Sequence, residues 1–178
     1  MRDVDRNIGL SYRAAIRLEP WTNGDLPLLE KCLGDPAMMT HLGGPESAEK
    51  IAERQALYER PDSKQFKIVD EESGKNVGWV GYWEREWRGE LVYEIGWSVI
   101  PAFQGRGHAS SATAQAIELA RAERTHRFMH AYPSVDNAPS NAICRKLGFT
   151  LLGPHEFEFP PGNPLLCNDW RLELATEA

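Results

Sequence analysis

The chain has 178 residues, which suits one compact domain and crowds two. Apolar residues make up 42% and charged residues 26%, with six Trp, so a core can form, while a net charge of −6 argues against a broad nucleic-acid surface. No run approaches the roughly 18 apolar residues of a membrane span, Met1–Arg17 is too charged for a signal peptide, and Cys32, Cys144 and Cys167 form no CxxC pair, pointing to a cytoplasmic protein with reduced thiols.

Ala14–Glu19 reads as a first strand, and Thr22 and Asn23 are cap candidates for a helix carrying Leu26, Leu29 and Leu33. The chain turns at His41–Pro45. Ser47–Glu59 follows as a helix with Ala48, Ile51, Ala52 and Tyr58 on one thin apolar side, suited to lying over a cleft. Gln65–Asp70, Val77–Trp83 and Leu91–Val99 form an antiparallel meander with a turn at Glu72–Lys75. The last of these strands alternates, with Leu91, Tyr93, Ile95, Trp97 and Val99 on one face and Val92, Glu94, Gly96 and Ser98 on the other.

After Pro101 a Gly-rich turn opens an Ala-rich helix, about Gly107–Glu123, followed by a strand at Arg127–Tyr132. A helix from Asp136 or Asn137 to Leu147 stops at Gly148, placed as a left-handed C-cap. Strands near Phe149–Leu152 and Asp169–Leu174 complete one domain over residues 1–178, with a core at about 14–174 and no repeat or linker. Charge is uneven along it. Pro101–Thr150 carries six basic residues against three acidic ones, so this stretch is +3 in a chain of −6, and an anionic ligand belongs there.

Within that stretch, Gln104-Gly105-Arg106-Gly107-His108-Ala109 lies between a strand and a helix whose first turn is Ala109–Ala112. Glycines let successive backbone N–H groups share one concavity, the helix N-terminus adds partial positive charge, and small side chains admit a phosphate. The segment therefore reads as a pyrophosphate cradle. A Walker loop needs GxxxxGK[ST], which is absent, and a dinucleotide fingerprint needs GxGxxG or GxGxxA at the first βα turn with an acid on the next strand. Here Ser110 takes the third glycine position, late in the chain, and His130 and Tyr132 lie on the following strand. The pyrophosphate of coenzyme A remains.

At this point the sequence resembles the GNAT superfamily of N-acetyltransferases. Their signature, a strand, Q/R-x-x-G-x-G/A and a helix, is matched by Gln104, Gly107 and Ala109. A second family segment is matched by Asn137-Ala138-Pro139-Ser140 and then Lys146-Leu147-Gly148-Phe149. The resemblance covers about Ala14–Leu174, and within the superfamily it is greatest to the branch acting on ribosomal-protein N-termini and related small amines.

The resemblance implies a mixed α/β fold of the α+β type: a mostly antiparallel sheet of about seven strands, splayed in the middle and flanked by about four helices. It implies acetyl-CoA as co-substrate and a primary amine, of a small molecule or a protein N-terminus, attacking the thioester directly. Backbone groups of Ser98 and Val99 would pair with the pantetheine arm. The motif from Gln104 would hold the pyrophosphate on the amides of Gly105, Arg106, Gly107, His108, Ala109 and Ser110. Asn137 and Ser140 would touch the coenzyme from across the cleft, although both also suit ordinary helix capping.

An alkyl ammonium must lose a proton before it attacks, and Glu94, beside Val92 and Gly96, is the candidate. It would serve either as base, through a water, or as counter-ion to the substrate ammonium. A backbone N–H near Val99 would donate to the thioester carbonyl. The family's usual Tyr, seven residues after the motif Asn, is Cys144 here, which leaves the general acid open among Cys144, water and Tyr132. Cys144 also suits a buried small hydrophobe, and His126 and His130 lack a third ligand, so no metal site is expected.

Trp83 and Trp87 are candidates for an acceptor pocket, as are His41–Pro45 and the helix after them by family analogy. Phe157–Asn168 would fold over the site or serve a dimer contact, leaving monomer and homodimer both open. The rival function is a non-catalytic acyl-CoA sensor with the same fold. No nucleic-acid partner is expected from the acidic balance, and no membrane partner from the lack of a long apolar run.

Overall fold

The computed structural model describes residues 14–159 and 161–174. Strand β1 (Ile16–Pro20) leads through a short 3-10 turn to helix α1 (Leu26–Leu33), and a loop connects this to α2 (Ala48–Tyr58). The meander β2 (Gln65–Asp70), β3 (Asn76–Trp87) and β4 (Glu90–Val99) follows. Then come α3 (His108–Glu123), β5 (Phe128–Ala131), α4 (Ala138–Lys146) and the hairpin of β6 (Thr150–Glu158) and β7 (Pro164–Glu173). The strands form one sheet in the order β1-β2-β3-β4-β5-β7-β6, antiparallel except where β4 meets β5. This is the expected mixed α/β architecture.

Val77–Tyr82 of β3 are buried on both faces, which is why this nearly continuous apolar run sits at the centre of the sheet. A Cβ at Gly78 would stand 2.1 Å from the Ser98 carbonyl oxygen, so glycine is what lets β4 approach so closely. On one face the small side of α3, with Ala112, Ala116 and Ala120, packs into a core with Val80, Tyr82, Tyr93 and Ile95. On the other, α1 and α2 bury Leu29, Leu33, Ile51 and Tyr58 around Trp79.

Five elements differ from the sequence reading. β3 and β4 run on to Trp87 and start at Glu90, because Arg88 (φ 53°) and Gly89 (φ 82°) close a two-residue hairpin with both residues left-handed. Arg rarely takes that conformation, so the turn signal was weak. β6 and β7 extend well past the short strands expected, and the Pro- and Gly-containing stretch from Phe157 is the far end of their hairpin. Every β6 side chain is at least partly exposed, so no apolar alternation marked its length. In α2 the expected Ala48 and Ala52 face solvent, and Gln55 joins Ile51 and Tyr58 on the buried side. Its Oε1 accepts from Trp21 Nε1 at 2.7 Å and its Nε2 donates to the Thr22 carbonyl at 2.9 Å, which offsets the cost of burying an amide. Among the described residues no helix is long and apolar enough to cross a membrane.

Candidate active site

β4 and β5 pair in parallel only at Tyr93–Met129 and Glu94–His130, and beyond those two positions they part. The Ile100 N–H donates to the Val77 carbonyl at 2.9 Å. In an antiparallel ladder alternate residues point the same way, so Ser98, Gly96 and Glu94 also turn their backbone groups toward β3. Val99, Trp97 and Ile95 turn theirs into the fork. A strand edge without a partner strand is where an extended ligand adds as another strand. Gln104 Nε2 closes the end of this edge by donating to the Val99 carbonyl at 2.8 Å, which leaves the Val99 N–H for a ligand.

Beside the fork, Gly105 (φ 73°) and Gly107 (φ 83°) hold left-handed conformations, and Gly107 is the N-cap of α3. The Ser111 N–H donates to the Gly107 carbonyl at 2.9 Å. The amides of His108, Ala109 and Ser110 are thus the open donors of the first turn. His108 fastens this loop to the sheet: its ring is buried, Nε2 lies 2.9 Å from Asp70 Oδ1, and it meets Phe103 edge-on at 5.7 Å. The Ser73 hydroxyl and then His108 hold the Asp70 carboxyl down at about 2.

On the α1–α2 face of the fork lies a cleft of about 460 Å³, with Trp83, Trp97, Tyr132 and Phe157 among its walls. Two ion pairs line it. Arg54 donates from Nε and Nη2 to the two oxygens of Glu46 at 2.7 and 2.6 Å. Arg85 Nη1 donates to Glu94 Oε2 at 2.6 Å, and Trp83 Nε1 reaches the same oxygen at 3.3 Å. The Arg85 guanidinium is also set among the rings of Trp87, Tyr132 and Phe157, 4.9–5.2 Å from their centres. The Tyr132 hydroxyl is buried with no hydrogen-bond partner among the described residues, and burial raises its pKa.

One buried pair was missed in the sequence. His130 Nδ1 stands 2.6 Å from Asp169 Oδ1, and Asp169 Oδ2 accepts from Trp87 Nε1 at 3.0 Å. Burial works to raise the Asp169 pKa, but the His130 hydrogen bond and charge, with Trp87 and Arg88, outweigh it and the net shift is down. Nothing local signals a pair 39 residues apart, and the sequence reading assigns His130 no role.

The expected site residues divide accordingly. Glu94, Asn137 and Ser140 all line the cleft, while Asn137 Oδ1 also accepts the Ser140 N–H at 3.2 Å as the cap of α4. Val99 lies on the fork edge, but Ser98 is a correction: its backbone faces β3, and Trp97 takes the place expected for it. The Gln104 side chain is committed to Val99 and the His108 side chain to Asp70, so in the cradle His108 offers only its amide. Gly105, Gly107, Ala109 and Ser110 surround the open donors, and Arg106 is exposed over the Phe103 ring at 5.2 Å. Cys144 is wholly buried in the core, its thiol pushed up to about 12 by burial, and it does not line the cleft. His41, Leu42 and Trp83 line the cleft, as do Phe157, Phe159 and Leu165 from the hairpin, whereas Trp87 is not among the lining residues and donates from Nε1 to Asp169.

A forked mixed sheet with a glycine-opened helix at its mouth makes this an acetyltransferase-type α/β fold. The chain belongs to the GNAT family: the model for the acetyltransferase (GNAT) domain matches residues 15–150. It is similar to the uncharacterized N-acetyltransferase YnaD of Bacillus subtilis (strain 168), 26% identical over 102 residues that span 57% of this chain and 59% of that protein. Among solved structures it resembles yncA of Salmonella typhimurium, solved with its cofactor acetyl-CoA (TM-score 0.71, 24% identity, 92% of this chain and 95% of that one). It also resembles the ribosomal-protein-alanine N-acetyltransferase of Brucella melitensis (TM-score 0.69, 26% identity, 89% of this chain and 99% of that one).

Proposed function

We propose that the protein is an N-acetyltransferase that moves an acetyl group from acetyl-CoA to the primary amine of a small molecule or a protein N-terminus. The observation that carries this is the adjacency of the bare β4 edge, the open amides of α3 and a cleft containing Glu94. The fit to coenzyme A rests on the same features. The amides from Gly105 to Ser110 would hold the pyrophosphate, Trp97 and Val99 would pair with the pantetheine arm, and Asn137 and Ser140 would close on it from α4. Bound acetyl-CoA supplies an acetyl group activated as a thioester. The likeness to the Brucella melitensis enzyme supports a protein N-terminus among the candidate acceptors.

Glu94 Oε1 has no hydrogen-bond partner among the described residues, because Arg85 and Trp83 both engage Oε2. That oxygen would take the proton the acceptor ammonium loses, directly or through a water. The Val99 N–H would donate to the thioester oxygen as charge builds on it. With Cys144 sealed in the core, the Tyr132 hydroxyl, which has no hydrogen-bond partner among the described residues, and water are the proton donors left for the departing thiolate. A sensor would need the cradle but not Glu94 in the cleft.

Calorimetric titration with acetyl-CoA, beside a Gly107→Glu variant that fills and repels the cradle, tests the reading. Binding by the parent that the variant loses, followed by acetylation of a panel of amines, supports it. A parent protein that does not bind acetyl-CoA ends it.

A further inference from the structure

Among the described residues, two of the three carboxylates lining the cleft are paired with arginines. Glu46 gives both oxygens to Arg54, and Glu94 gives one to Arg85. Glu158, the remaining lining carboxylate, is exposed at the hairpin end and accepts the Gly162 N–H at 3.2 Å. A polycation needs uncompensated carboxylates spaced along its length, and this lining does not offer them. What it does offer is donors. Arg85 makes one hydrogen bond among the described residues, to Glu94, and its three ring neighbours present faces, not acceptors, to the guanidinium. Trp79 Nε1, on the same cleft wall, is buried and has no hydrogen-bond partner among the described residues. A buried donor without an acceptor is rare and marks a place where a ligand atom completes the arrangement.

We propose that the acceptor is a free α-amino acid with a bulky apolar side chain. Its ammonium sits at Glu94 Oε1 and its carboxylate on the open edge of Arg85. An α-amino acid carries opposite charges on groups joined through one carbon, and Arg85 and Glu94, held side by side by their own ion pair, present the complementary charges next to each other. A ligand with no net charge also leaves both ion pairs of the cleft balanced. Trp83, Trp97 and Phe157 supply apolar walls for the side chain. The inference rests on the proposed acetyl transfer at this same site, and it makes Arg85 the residue that selects a carboxylate.

The test is calorimetry on the full chain saturated with coenzyme A, which has no acetyl group to transfer. L-Methionine, L-phenylalanine and L-tryptophan are each titrated beside their methyl esters, with spermidine and an alanyl peptide amide as rivals. At least one amino acid is expected to bind saturably and about tenfold tighter than its ester, since the ester keeps the amine and loses the charge that Arg85 reads. In Arg85→Met that preference falls to about one. The comparison between acid and ester uses the unaltered protein and stands even where the variant does not fold. Equal or tighter binding of the ester, tighter binding of spermidine or the peptide, or silence from all three amino acids overturns the inference while leaving the transferase reading in place. Failure of coenzyme A itself to bind is the separate result that removes the transferase reading and this one with it.

Discussion

His130 and Asp169 meet at 2.6 Å in a part of the sheet where neither side chain is more than 4% exposed. Removing the carboxylate strands both His130 Nδ1 and Trp87 Nε1. Asp169→Leu should therefore cost about 3–5 kcal/mol in urea unfolding, and Asp169→Asn, which keeps an acceptor, about 1–3 kcal/mol. Because the Asp169 pKa is lowered on folding, its contribution is complete above the ordinary carboxylate range and is lost as pH falls through it.

Glu94→Gln should lower kcat/KM by roughly 10²- to 10⁴-fold. Acetyl-CoA affinity, which the proposal assigns to the cradle and the β4 edge, should stay within about threefold of the parent. A matching loss of coenzyme binding would make Glu94 a structural partner of Arg85 and not a base.

Tyr132 and Cys144 should separate cleanly. Cys144→Ala is expected to keep turnover and to cost on the order of 1 kcal/mol of stability, since its thiol lies in the core and is pushed up to about 12. Tyr132→Phe should slow kcat by about 10²-fold. Burial raises the Tyr132 pKa, so the hydroxyl stays protonated and contributes no falling limb to the rate profile below about pH 10. An unchanged kcat in Tyr132→Phe would hand the proton to water.

The β2–β3–β4 meander and the glycine-flanked start of α3 were legible because each depends on local signals. Val77–Tyr82 is a continuous apolar run, and Gly105 and Gly107 flank a helix start. Glu94 was legible from strand alternation alone. Arg85 and Asp169 were not, since their roles arise from β3, β5, β6 and β7 meeting on one face. Ser98 was misread by one position. The sequence shows which face a side chain takes but not which side of the strand its amide faces, and only the Ile100–Val77 hydrogen bond decides that.

Gly107→Ala forces a Cβ into a left-handed backbone at φ 83°. It should cost roughly 1–2 kcal/mol and weaken acetyl-CoA binding, because relief of the strain turns the cradle amides away. Thermal melts with and without acetyl-CoA read both effects from one sample set.

The Asp70–His108 contact gives the loop a pH signature. The Asp70 pKa falls from its ordinary 3.8 to about 2, so the stabilisation is present above about pH 4 and disappears as pH drops toward 2. Melting curves of the parent and Asp70→Asn should therefore be separated at about pH 6 and converge in acid. A gap that stays constant across that range would mean the pair acts by packing alone.

The parting of β4 from β5 divides the sheet into two blocks of four and three strands, bridged within the sheet by only two residue pairs. A molecule threaded along the β4 edge would act as a mortar strand across that seam, adding backbone bonds that the polypeptide does not supply. Coupling of this kind would make the stability of the fold report on the metabolite: at a hundredfold excess over Kd the gain is about 2.7 kcal/mol.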